Sequence, residues 1–180
     1  MAVAVAAPFA PISAYALWPD KFTRSVIDSA LAIKFEGKQP SVIVSIEGAF
    51  GDPSEVLSIY AYFDKSDDRR FAVRRATRQK DSTVVAWAGS SECSQMKPLL
   101  VRLEGVPPPR VDLYGIGQDS DAAPVFDGIT YSLWAAFPKW QESLGYELSM
   151  SSNIGSPLAV WTEALLAGLQ TCWKPHAPAG

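Results

Sequence analysis

The chain has 180 residues, 48% of them hydrophobic and 19% charged, which is enough for one domain with a buried core and short of two. Its formal net charge of −3 excludes the basic footprint that a dedicated nucleic-acid binder needs to neutralise phosphates, and it disfavours attraction to an anionic membrane surface.

The first nineteen residues, MAVAVAAPFAPISAYALWP, carry no charged side chain, and Ala14-Tyr15-Ala16 has the small-x-small form of a signal-peptidase site. A positive leading region is absent, and Pro8 and Pro11 break the apolar run. Residues 1–19 therefore read either as the remnant of an export signal or as an apolar arm that docks on the domain. No apolar run reaches the ~18 to 20 residues that a membrane-spanning helix requires.

The stretch KFTRSVIDSALAIKFEG reads as a short helix or turn followed by a strand near Leu31 to Phe35. Period two then takes over. SVIVSIEG, EVLSIYAYFD, RFAVRRAT and STVVAWAG are four successive strand patterns separated by turn-rich segments, as in an antiparallel meander. Between Asp64 and Asp81, seven basic residues outnumber four acidic ones. Arg70, Arg74, Arg75 and Arg78 belong to this run. They are either a charged patch for a partner or a solvated hairpin whose charges protect a strand edge.

SSECSQMKPLLVRLEGV sets Cys93, Met96, Leu100 and Leu103 at helical spacing, with Ser91 as the expected cap and Gly105 as the stop. The following GVPPPRVDLYGIGQDSDAAPVFDG is loop-like apart from a short strand expected at Val111 to Tyr114. ITYSLWAAF and YELSMSS form a strand pair joined by PKWQESLG. Phe137 and Trp140, in or beside that connection, are candidate partner anchors, because aromatic residues on loops often serve that purpose.

SPLAVWTEALLAGLQTCW is the best-organised helix. Ser156 suits the cap and Pro157 the first helical position, while Leu158, Trp161, Leu165, Leu169 and Cys172 share one side. Cys93 and Cys172 are the only cysteines, and both fall on apolar stripes. If the two helices pack antiparallel, the sulfurs meet at one end of a shared interface. A disulfide is thus expected in an oxidising compartment, and two buried thiols in a reducing one.

The expected fold is α+β: an antiparallel sheet of about five to seven strands with two main helices on one face, tied by Cys93 and Cys172. The domain spans residues 20–174 and is followed by a flexible tail over 175–180.

The single histidine, His176, lies four residues from the end, and no G-x-S-x-G is present. No metal-ligand spacing and no cofactor fingerprint stand out. The favoured reading is a non-catalytic periplasmic or extracellular domain that binds another protein. A hydrolase using only carboxylates, such as Asp112, Asp119 and Asp121, is the first alternative, and a structural subunit of a larger assembly the second.

Overall fold

In the computed structural model the described residues are 21–48, 53–64, 66, 68–80, 82–107, 128–137 and 146–178. The arm 1–19, the strand expected at Val111 to Tyr114, Asp112, Asp119, Asp121 and Trp140 lie outside them. The described chain runs α1 (Lys21–Leu31), β1 (Val42–Glu47), β2 (Pro53–Phe63), β3 (Arg69–Gln79), β4 (Ser82–Gly89), α2 (Met96–Val101) with a 3₁₀ turn at Arg102–Gly105, β5 (Thr130–Phe137), β6 (Tyr146–Asn153) and α3 (Pro157–Gly168).

The period-two segments become one six-stranded sheet in the order β4-β3-β2-β1-β5-β6, every neighbouring pair antiparallel. The first four strands are the expected meander. β5 then adds to the free side of β1, so the chain between β4 and β5 must travel back across the sheet, and α2 lies on that route.

Register sorts the side chains between two faces. Leu133, Val44, Leu57, Arg75 and Ala86 form a row on one face, and Trp134, Ile43, Ser58, Arg74 and Trp87 form the adjacent row on the other. On the first face Val44, Ile46, Leu57, Ile59, Val73, Leu133 and Ala135 are buried against Met96 of α2, Leu158, Trp161 and Leu165 of α3, and Leu169 just past its end. At about 1.5 to 3 kcal/mol for each large side chain taken from water, this layer is the main stabilising element. The two expected helices therefore share one face.

α3 begins as its residues dictate: Ser156 Oγ accepts from the Ala159 amide at 3.1 Å, and Pro157 opens the helix without losing a bond. α2 differs from its sequence reading. It starts at Met96, is preceded by Gln95 and has no side-chain cap, so Ser91 is not its cap. Pro98 supplies the reason. A proline is tolerated only in the first turn, where no N–H is required, and a start at Met96 puts it there. Trp161 Nε1 donates to the Leu99 carbonyl at 2.9 Å, joining α3 to α2.

α1 covers the opposite face. Its Ile27 and Ala30 pack on Ile43 and Trp134. The strand expected near Leu31 to Phe35 does not form. The chain instead makes a tight bridge between Phe35 and Lys38, and Phe35 joins Tyr60, Tyr62 and Trp87 in an aromatic cluster with ring centroids 5.1 to 5.8 Å apart. The cause is the sheet itself: Ile43, Tyr60 and Trp134 on β1, β2 and β5 point away from α2 and α3, and they need a cover of their own.

Candidate functional site

Cys93 and Cys172 form a disulfide with their Cα atoms 5.8 Å apart. Neither lies in a helix. Cys93 sits in the turn between β4 and α2, and Cys172 in the turn after α3. Beyond Cys172 the chain runs beside the outer edge of β4: the Trp87 amide donates to the Lys174 carbonyl at 2.7 Å, and the Lys174 amide donates back to Trp87 at 2.8 Å. Lys174 Nζ also pairs with Glu92. In the segment read as a tail, His176 is exposed whereas Pro178 is buried against Gly89.

The sheet separates the four arginines. Arg70 Nε donates to Asp64 Oδ2 at 2.7 Å, and Asp64 Oδ1 accepts from the amides of Ser66 and Asp68. The bond to Arg70, then the one to the Asp68 amide, holds the Asp64 carboxyl below its ordinary value. Arg75 points to the face bearing α2 and α3. There it clasps Glu55 through Nε at 2.6 Å and Nη2 at 2.9 Å and lies 5.6 Å from the centre of the Trp173 ring. Arg74 and Arg78 fall on the opposite face, Arg74 opposite Trp87 and Arg78 opposite Thr83. Phe137 is the last residue of β5, paired with Tyr146.

Tyr131 on β5 donates from its hydroxyl to Glu163 Oε1 at 2.8 Å. Its pKa is pushed up to about 12, chiefly by burial, then by the bond to Glu163 and the charges of Glu163 and Glu55. The neutral phenol is therefore the stable form, and it ties α3 to the sheet. A cavity beneath α1, lined by Ile27, Ile43, Ser45, Ser132, Trp134 and Ser149 among others, encloses about 10 Å³. That is room for about one water molecule and far below the volume of a substrate pocket. No carboxylate lines it.

The exposed feature with the plainest capacity for recognition is the outer edge of β6. This strand pairs with β5 over eight residues, Tyr146 to Asn153, without a bulge, and among the described residues nothing pairs with its other side. From Leu148 to Thr162 the sequence contains no charged residue. Leu148 is 45% exposed, Ile154 in the following turn 57%, and Val160 in the first turn of α3 58%. An unbulged strand with one charged residue, whose outer row of N–H and C=O groups is unpaired among the described residues, is a template for another strand. The sequence displayed the missing charges but not the edge position, because order within a sheet depends on which distant strands pair.

Compared with known proteins, the chain matches no family model, no curated protein and no solved structure.

Proposed function

We propose that this chain is a non-catalytic binding domain of an oxidising compartment, periplasmic or extracellular, and that it engages a protein through the β6 edge. The observation that carries this reading is the contrast between the edges. β4 is bridged by a C-terminal segment pinned by the disulfide, whereas β6 presents eight residues unpaired among the described residues and apolar side chains at its rim. A disulfide fits such a compartment, since reducing cytosol keeps most thiols free.

The test is affinity capture from an extract of the native host under non-reducing conditions, with the wild-type chain and a Ser149→Lys/Ser151→Lys variant as baits. Both serines are exposed on β6, but Ser149 borders the cavity beneath α1 and Ser151 Oγ bonds Ser132 Oγ, so the unfolding temperatures of the two baits are compared alongside. The reading predicts that wild type retains one stoichiometric protein, its own copies included, and that the variant loses it. Equal retention by both baits, or none by either, overturns it.

A further inference from the structure

We infer that the C-terminal segment beyond Cys172, from Trp173 to Pro178, is a cover over the β4 edge that a thiol reductant opens and reoxidation closes. The inference is independent of the reading of β6.

The covalent link is the main tie. Through Lys174 the segment makes one antiparallel bridge to β4, the reciprocal bonds with Trp87. Pro175 and Pro178 have no N–H, so this bridge cannot lengthen into a regular ladder. The side chains of Lys174 and Glu92 that pair beside it are 49% and 41% exposed, and an ion pair so solvated contributes little. Lys174, Pro175, His176 and Ala177 are all exposed, and the segment's one buried residue is Pro178, against Gly89. Trp173 is half-buried with Arg75 over its ring, but its indole N–H is buried without an acceptor among the described residues, a cost that release into water removes.

These ties must offset the backbone freedom lost along the whole segment. The disulfide tips the balance. By holding Cys172 to the turn before α2, it keeps Lys174 at a high effective concentration beside Trp87. Without it, the last buried anchor before the segment is Leu169, just past the end of α3.

The bond is approachable from one side, since Cys172 is half-buried next to exposed Thr171 while Cys93 is buried. One thiolate of a dithiol attacks Cys172 Sγ, the S–S bond breaks, and Cys93 leaves as a thiolate that takes up a proton. The dithiol's other sulfur then attacks the first, closing a cyclic disulfide and releasing Cys172, which is protonated in turn. The protein gains two electrons and two protons, and the dithiol loses the same. Release strips the Trp87 N–H and C=O of their partners and lifts Pro178 from Gly89. The strand beneath, Ser82–Gly89, carries no charge and already exposes Val84, so the opened edge is suited to pair with a strand of another chain.

The test is amide exchange in the full chain, followed by NMR in the oxidised protein, after reduction with dithiothreitol, and after reoxidation with oxidised glutathione. Reduction should speed exchange at Trp87 and Lys174 about a hundredfold or more relative to Val44 of the central strand β1, and reoxidation should restore it. Oxidised Lys174→Ala, which loses the ion pair with Glu92 and keeps the disulfide, should change exchange at Trp87 by no more than about threefold. Unchanged protection of Trp87 and Lys174 in the reduced protein would show that weak contacts suffice and overturn the inference. So would equal acceleration at Val44, which makes the bond a staple of the whole fold and not the catch of a cover. Failure of reoxidation to restore protection, or a Lys174→Ala variant as open as the reduced protein, overturns it as well.

Discussion

The two edges of the sheet are built from similar strands and end in opposite conditions. β4 and β6 each have eight residues and almost no charge. At its Trp87 end β4 is bridged by Lys174 and overlaid by Pro178, and at its start it has Arg78 paired opposite Thr83 and Lys80 close by in the preceding turn. β6 has none of these devices among the described residues. The comparison teaches that strand composition does not decide whether an edge is open. What decides it is where the chain goes next: α3 leaves β6 and carries the C-terminal segment across the sheet to β4, where Cys172 fastens it to Cys93.

The largest way to break this contrast is to remove the fastening. On the chain-entropy model, a bond between residues 79 apart contributes about 4.5 kcal/mol. Cys93→Ala/Cys172→Ala should therefore lower the unfolding temperature by roughly 10 to 18 °C in calorimetry. It should also speed amide exchange at Trp87 while leaving β6 amides relatively unaffected.

Gly89→Val attacks the cover more locally. A Cβ at Gly89 would lie 2.7 Å from Pro178 Cβ, so the segment must shift. The expected cost is about 1 to 3 kcal/mol in denaturant unfolding, with the Trp87 amide again exchanging faster.

Tyr131→Phe sharpens the other side of the comparison, where α3 is tied near β6 by a hydrogen bond. A net loss of about 1 kcal/mol is expected at neutral pH. Because the folded pKa of Tyr131 is raised from 10 to about 12, its contribution is complete below pH 10 and disappears as the pH climbs toward 12. Wild type should lose stability across that alkaline window in pH-dependent unfolding, and the variant should lose less.

The smallest effect is expected from Asp64→Asn, in the turn between β2 and β3. Its lowered pKa means that its contribution is present above about pH 4 and fades as the pH falls through the folded value. A small loss of stability near neutrality, shrinking in acid, is expected in urea titrations. Exchange at the edges of both β4 and β6 should be unchanged.

Much of the architecture was readable from local patterns. The alternation in SVIVSIEG, EVLSIYAYF, RFAVRRAT and STVVAWAG marked β1 to β4, and the 3, 4, 4, 3 spacing from Leu158 to Cys172 marked the α3 stripe and its exit. Where two local signals competed, the reading slipped. Ser91 looked like a cap, but Pro98 moved the start of α2 to Met96. Leu31 to Phe35 looked extended, but Phe35 is claimed by the aromatic cluster of Tyr60, Tyr62 and Trp87. The candidate site was less readable still. Arg75 reads as one of a run, yet it turns inward to Glu55, while Leu148, Ser149 and Met150 read as an ordinary strand pair with β5.

The amino-acid sequence by itself determined most of the element types and the apolar stripe of α3, because periods of 2 and 3.6 residues act between near neighbours along the chain. Only the tertiary structure decided that β5 inserts beside β1, that α1 closes the second face, and that β4 is bridged while the outer side of β6 has no partner among the described residues. Those outcomes depend on contacts between residues far apart in sequence, where many pairings satisfy the same local pattern and burial of the whole sheet selects among them.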